Sequence, residues 1–172
     1  MDLYDQNFLK SNLCFIYRVI VASCPLLEFA IPKCDGELRE YYLQHLDEER
    51  DHDVMLKDDL ERFGIPELMI PKYHSAAQLA GSQYYLIAHE HPALLLGYMH
   101  ALEAYSLPPQ TVDDLSKHHG VELKTLKHHA IHDPAHKTDL ESMICKQDEE
   151  LQGRVFWNER CVTHFLNGMR YG

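Results

Sequence analysis

Residues 93–106 read ALLLGYMHALEAYS. Apolar side chains occupy nearly every position of this stretch, which predicts a helix that is buried on all sides at the centre of a bundle. Pro92 stands at the place of a first helical residue, and the Pro-Pro pair at 108–109 ends the segment. A single carboxylate, Glu103, interrupts the apolar run.

Further helices are predicted on both sides of this segment. Alternating runs of β-branched residues between turn residues, which are typical of strands, are almost absent. Apolar residues recur instead at helical spacing, and Gly and Pro separate the segments. Asp35 is a candidate N-cap of the second helix, and Gly64 ends that helix. Besides the central helix, the predicted helices cover residues 6–23, 35–63, 75–89, 111–120, 121 to beyond 136, and 148–168.

These segments predict an all-α bundle of about seven helices. A chain of 172 residues is long enough to bury a core, and no linker divides it, so residues 1–172 are expected to form a single domain. Pro25 and Pro32 are expected to bound a short irregular piece after the first helix.

Composition excludes several classes of function. The formal net charge is −11 and no Lys/Arg cluster occurs, so a nucleic-acid surface is not expected. The chain begins MDLYDQNF, with acid where a signal peptide carries base, and no apolar run approaches the length that spans a bilayer. The five cysteines form no C-x-x-C pair, which favours buried thiols in a cytoplasmic protein that contacts no membrane.

One metal-ligand pattern occurs twice. Residues 45–52 read HLDEERDH and residues 129–136 read HAIHDPAH. In each, a carboxylate follows the first histidine by four residues and a second histidine follows three later, so all three share one face of a helix. Imidazole together with carboxylate suits iron, manganese and zinc, and helix bundles hold such ions between facing helices. The candidate ligands are His45, Glu49, His52, His129, Asp133 and His136, with Glu103 from the central helix.

Each part of this set also has a purely structural interpretation. Glu103 is costly to bury unless it is paired or binds a metal, but with His100 it could instead form one solvated stripe. The first motif lies in a charge-rich segment, where Glu48, Asp51, Asp58 and Asp59 are expected to be solvated.

The second motif contains Pro134, which lacks a backbone N–H. If the helix breaks there, His136 leaves the face that it shares with His129 and Asp133. If the helix only kinks, the three side chains still converge.

Three stretches carry a resemblance to a known family: HLDEERDHDVMLKDDL (residues 45–60), QYYLIAHEHPALLLGYMHALE (residues 83–103) and HHAIHDPAHKTDL (residues 128–140). They resemble the metal-binding helices of the heme-oxygenase-like diiron oxidases and oxygenases, a group with TenA/PqqC-like and CADD-like proteins. The resemblance covers about residues 35–145, and its third stretch is the most specific. It implies a heme-oxygenase-like fold with a central metal site.

The resemblance implies two iron ions, with manganese as the alternative metal. The ligands carried over are Glu103, His129, Asp133, His136 and His52. His45 stands where some relatives have a glutamate, so either Glu49 or the adjacent Glu48 is expected to supply the carboxylate of the first helix.

The implied activity is that of a nonheme diiron enzyme that activates O2 to oxidise a small organic substrate, with a homodimer as an open question. Tyr84, Tyr85, Tyr98 and Met99 are candidates to line the substrate pocket, although aromatic residues at helical spacing also serve as core. Two alternatives stay open. One is a cofactor-free TenA/PqqC-like enzyme, whose nucleophile would be Cys145 or Cys161. The other is a non-enzymatic helical protein that binds metal, heme or a partner.

Overall fold

The computed structural model describes residues 2–104 and 106–171, and these residues form an all-helical bundle without a strand. All seven predicted helices are present within them, and the second is divided in two. Three short 3-10 helices, Ile31–Lys33, Glu67–Met69 and Pro92–Leu94, join them. The α-helices are α1 (Gln6–Ala30), α2 (Gly36–Glu48), α3 (His52–Arg62), α4 (His74–His89), α5 (Leu95–Glu103), α6 (Pro109–His119), α7 (Lys124–Cys145) and α8 (Glu149–Tyr171).

The central position of α5 is confirmed. Seven of its nine residues are buried, and it packs between α7 and α8. Pro92 opens the short 3-10 helix that leads into α5, as its fixed backbone angle allows. The helix ends at Glu103, earlier than the sequence predicted, so Glu103 lies in the last turn rather than at mid-helix.

Two hydrophobic clusters form the core, and two helices, α1 and α7, contribute to both. One cluster contains α2, α4, α5, α8 and the C-terminal parts of α1 and α7. The other contains α3, α6 and the N-terminal parts of α1 and α7. On α7 the chain passes from one cluster to the other between Ala130 and Leu140. It also passes from one cluster to the other between α2 and α3. Both predicted metal-binding motifs therefore lie at the boundary between the two clusters.

The first helix is longer than predicted. It continues through Pro25 to Ala30, and the 3-10 helix Ile31–Lys33 extends it. The prediction of an irregular piece between Pro25 and Pro32 is therefore wrong. Pro25 removes one hydrogen bond from the ladder but does not end the helix, because Leu26, Leu27 and Ala30 are buried beyond it.

The greater length of the first helix bears on whether a segment of this chain is long enough to cross a bilayer. Residues 6–33 form one helix that is long and apolar enough to cross a membrane by length and composition, and 39% of its most apolar window is buried. The prediction that no segment approaches that length is wrong, because it assumed that the helix ended before Pro25. Core helices of soluble proteins pass the same test, and α1 packs against α3 and α4.

The second predicted helix is interrupted at residues 49–51. Asp51 adopts a left-handed backbone conformation with φ of 65°, which few residues other than glycine adopt. The chain turns there from one hydrophobic cluster to the other. The prediction of one continuous helix over 35–63 is therefore wrong, and no Gly or Pro marks the turn.

The cysteines are all free but are not all buried. Cys14 is buried, Cys24 and Cys34 are half-buried, and Cys145 and Cys161 are exposed. The prediction of five buried thiols thus holds for only part of the set.

Candidate metal centre

The first motif brings its side chains together by a turn rather than on one helix face. His45 lies in the last turn of α2, Glu49 caps that helix, and His52 is the first residue of α3. His45 Nε2 lies 3.9 Å from Glu49 Oε1, and His52 Nδ1 lies 3.4 Å from the same oxygen. Glu49 therefore stands between the two histidines.

The second motif keeps the geometry of a continuous helix. The helix α7 runs through Pro134, which is exposed, so His129, Asp133 and His136 remain at helical spacing. His129 Nδ1 lies 3.0 Å from Asp133 Oδ1. The alternative in which the helix breaks at Pro134 is wrong.

Glu103 reaches both motifs from α5. Its Oε1 lies 4.0 Å from His45 Nε2 and 3.8 Å from His136 Nδ1. Its side chain is only 9% exposed, so the solvated-stripe interpretation is wrong for Glu103. A carboxylate in the last turn of a helix also faces the negative end of the helix dipole, which disfavours it there.

Together these side chains form two adjoining groups at the boundary between the hydrophobic clusters. In the first, one ligand atom each of His45, Glu103 and His136 lie within 4.8 Å of one another. In the second, the imidazole rings of His52 and His129 have centroids 4.9 Å apart. Glu49 approaches His45 of the first group and His52 of the second. All seven predicted ligands are thus brought into one region by α2, α3, α5 and α7.

Part of the hydrogen-bonding capacity of the site is unused. Four candidate ligands each carry a buried polar atom that has no hydrogen-bond partner among the described residues. These atoms are His52 Nδ1, Glu103 Oε2, His129 Nε2 and His136 Nδ1. A buried polar atom without a partner costs about 1–3 kcal/mol. The donor set of imidazoles and carboxylates suits iron or manganese, so the residues fit the predicted metals.

The pKa values of the two central carboxylates, Glu49 and Glu103, shift in opposite directions. Burial alone would raise the pKa of Glu49, but contact with His52 and the charge of His45 outweigh it and lower this pKa to about 2. Burial raises the pKa of Glu103 to about 7, and repulsion from Asp133 adds to the effect against the contact with His136.

The pKa of His136 is raised. Contact with Glu103 raises the pKa of its imidazole to about 9, against the effect of burial. His45 is affected in the opposite direction, because burial lowers its pKa more than Glu49 raises it. Burial would lower the pKa of His129, but the hydrogen bond with Asp133 outweighs it and raises this pKa. The cluster therefore contains two imidazoles that favour the charged form and one that favours the neutral form.

Glu48 is a second candidate carboxylate of the first motif. Its Oε2 lies 3.6 Å from His45 Nδ1 and 3.8 Å from His136 Nε2, but its side chain is 36% exposed. Glu49 is the more deeply buried of the two, at 8%. Glu48 is exposed, as expected, and its carboxylate also lies near two candidate ligands.

A cavity of about 590 Å³ adjoins the cluster. Five candidate ligands form its polar end: His45, Glu49, Glu103, His129 and Asp133. Of the predicted pocket residues, Tyr98 and Met99 line it. Tyr84 packs on Phe29 with ring centroids 5.1 Å apart, and Tyr85 is 60% exposed, so neither faces this cavity.

Three buried polar arrangements outside the centre did not emerge from the sequence. Asp59, expected to be solvated, is fully buried, and its Oδ2 accepts the backbone N–H of Thr125 at 2.8 Å. His100 lies between Glu159 and Glu141. The third is a side-chain amide pair that joins α4 to α8. No local pattern signals these contacts, because each joins residues far apart in the chain.

Comparison with known proteins adds no relative. No family model, no curated protein and no solved structure matches this chain. The heme-oxygenase-like identity therefore stays a prediction.

Proposed function

We propose that this protein is a nonheme iron enzyme that uses two iron ions to activate O2 and oxidise a small organic molecule, with manganese as the alternative metal. One observation carries the proposal: in the described part of the chain, Glu103 Oε2 on α5 and His129 Nε2 on α7 are buried without a hydrogen-bond partner. The Nδ1 atoms of His52 and His136 are buried as well and reach only carboxylate oxygens of other candidate ligands, at 3.4 and 3.8 Å. A polar group that serves only structure is normally hydrogen-bonded when buried. Metal ions would supply the missing partners.

The burial of three carboxylates in one region supports the same proposal. Glu49, Glu103 and Asp133 are each less than a tenth exposed and lie in mutual electrostatic contact. The chain places no lysine or arginine within salt-bridge distance of them in its described part. Buried charge that lacks a cationic side chain is a common property of metal sites.

Convergence of three ligand atoms within 4.8 Å supports the first ion, and the second ion is assigned to the remaining predicted ligands. His45, Glu103 and His136 would hold one, and His52, His129 and Asp133 the other, with Glu49 placed between them. When bound, reduced iron would supply the electrons that O2 requires. The chain itself would orient the ligands, exclude water by its apolar walls, and hold the organic substrate in the adjoining cavity.

The alternative functions find less support. Cys145 and Cys161, the candidate nucleophiles of a cofactor-free enzyme, are exposed, and neither is among the residues that line the cavity. Heme binding requires a single axial imidazole and would leave the buried carboxylates unexplained.

The proposal is tested by anaerobic titration of the metal-free protein with Fe(II), followed by exposure to O2. We expect about two iron ions per chain and a transient absorbance change on oxygenation. Glu103→Gln and His129→Ala should each lose at least one ion, with circular dichroism unchanged. His164→Ala removes an exposed histidine of α8 and serves as the control. Parent-like iron binding in both ligand variants would refute the site.

A further inference from the structure

The helix α7 carries a further pair of histidines next to the candidate metal centre. His128 and His132 stand four residues apart in this helix, and their imidazole rings have centroids 4.3 Å apart. His132 is exposed and His128 is half-buried, so solvent reaches the pair. Two histidines at i and i+4 share one face of a helix and can hold one divalent transition-metal ion between them.

Each member of the pair adjoins one group of candidate ligands. The ring of His128 lies edge-on against the ring of His52, with centroids 4.8 Å apart. The ring of His132 is stacked with that of His136, with centroids 6.3 Å apart. His136 belongs to the first group of candidate ligands and His52 to the second. The pair therefore lies between solvent and both groups.

The two approaches to the buried ligands differ in what they offer a metal ion. The adjoining cavity is lined mostly by apolar side chains of α1 and α5. An ion that crosses such a surface loses its hydration without gaining ligands, which is costly. On the α7 side, imidazoles follow one another from the surface inwards, so that a ring nitrogen can replace each water that the ion loses. The histidine side is therefore the more favourable approach for an ion.

We propose that His128 and His132 form an outer site that captures a divalent transition-metal ion, such as Fe(II) or Mn(II), and passes it to the buried ligands. The transfer is a ligand exchange in which the ion keeps its charge, gives up its bonds to the outer imidazoles and gains bonds to His52 or His136. The transfer step rests on the proposed function. Capture does not, because the pair is exposed whether or not the buried centre binds iron.

The first test measures capture at the surface. Untagged protein is applied to a column of immobilised Ni(II), which binds imidazole sites more tightly than Fe(II) or Mn(II) and, being tethered, reaches only accessible side chains. His128→Ala and His132→Ala should each lower the imidazole concentration needed for elution at least about twofold, because the ion loses one of two linked ligands. His164→Ala, at an exposed histidine of α8, should elute like the parent. Parent-like elution of both pair variants would overturn the proposal.

The second test separates the rate of metal loading from the amount of metal bound. Metal-free protein is mixed anaerobically with Fe(II), and a colorimetric chelator traps the unbound ion at successive times. In His128→Ala and His132→Ala we expect loading to slow about tenfold, because the ion is no longer concentrated beside the buried ligands. The amount of iron bound at equilibrium should match the parent. His164→Ala should match the parent in both rate and amount.

The results distinguish a failure of this inference from a failure of the proposed function. Parent-like loading rates in both pair variants, with iron bound at equilibrium, would overturn the transfer step and leave the proposed function standing. An equal loss of rate and of equilibrium binding would make the pair part of the centre itself and overturn its role as an outer site. If the parent binds no iron, the proposed function and the transfer step both fail, and elution from the Ni(II) column alone decides whether the pair captures metal.

Discussion

The two sides of α5 differ in whether their buried polar groups are hydrogen-bonded. Towards α8, His100 Nδ1 lies 2.9 Å from Glu159 Oε1, and the amide of Asn158 donates to the carbonyl of Leu94 at 2.8 Å. Towards the cavity, Glu103 and Tyr98 each have a buried oxygen without a hydrogen-bond partner among the described residues. The polar groups on the side towards α8 are hydrogen-bonded within the fold, whereas these two oxygens are not. The difference assigns structure to one side and binding to the other.

The largest effect on stability is expected from adding a side-chain atom where α5 and α8 are already in close contact. A Cβ atom added to Gly97 would collide with the backbone carbonyl oxygen of Val155 and lie 3.0 Å from the backbone nitrogen of Glu159. Neither backbone atom can move without shifting a helix. Gly97→Ala should therefore lower the free energy of unfolding by about 3 kcal/mol, measured by urea denaturation.

Gly81→Ala is the matched control for Gly97→Ala. Gly81 also lies inside a helix, but an added Cβ there meets nothing within 4 Å. Higher helix propensity should raise stability by about 0.5–1 kcal/mol. Equal stabilities of the two variants would mean that α5 and α8 do not approach as closely as described.

The next effect concerns the cavity side, where metal should stabilise the fold. At a free metal concentration one hundred times the dissociation constant, binding adds about 2.7 kcal/mol to the free energy of unfolding. Anaerobic Fe(II), or Mn(II) as a redox-stable substitute, should therefore raise the melting temperature. Glu103→Gln should remove this increase and Glu159→Gln, on the opposite side of α5, should keep it. An increase that survives Glu103→Gln would place the metal elsewhere.

The sequence predicted the helices better than it predicted the difference between the two sides of α5. Gly120, with φ of 64°, ends α6 as predicted, because it tolerates the left-handed conformation. The helix begins at Pro109, two residues before the predicted start. These signals are local, and a sequence carries them directly. The interruption at Asp51 carries no such signal, because tertiary packing on either side of the turn forces a non-glycine residue into positive φ.

The candidate site was predictable in its residues but not in its arrangement. Spacing alone selected the members of both motifs, and the cost of burying Glu103 selected the third contributor. That Glu49 lies between two histidines depends on a helix break, and that the cavity adjoins the site depends on α1. Neither feature leaves a periodic pattern in the chain. The same limit explains why Tyr84 and Tyr85 were not distinguished from Tyr98.

A smaller effect is expected from removing a satisfied group on the side towards α8. Asn158 donates to Leu94 O and to Gln83 Oε1, both at 2.8 Å. Asn158→Ala removes both hydrogen bonds and leaves the buried Gln83 side chain without this donor, which should cost about 2 kcal/mol. Adding Gln83→Leu to Asn158→Ala should recover part of this loss of stability. The double variant no longer contains the Gln83 amide, which the single variant Asn158→Ala leaves buried without its partner. A double variant less stable than the sum of the single changes would show that the amide pair is not the source of the loss.

The smallest effect provides the most direct comparison, because two buried tyrosines differ in one contact. The Tyr42 hydroxyl donates to the carbonyl of Pro92 at 2.9 Å, whereas the Tyr98 hydroxyl has no hydrogen-bond partner in the part of the chain that the structure describes. Replacing either residue by phenylalanine removes one oxygen and keeps the ring. Tyr42→Phe should cost about 1 kcal/mol, since it removes a buried hydrogen bond to the Pro92 carbonyl, and Tyr98→Phe should stay within about 0.5 kcal/mol of the parent. Urea denaturation of the metal-free, ligand-free protein measures both. If Tyr98→Phe costs as much as Tyr42→Phe, the Tyr98 hydroxyl has a partner within the fold, and the cavity side of α5 is as complete as the side towards α8.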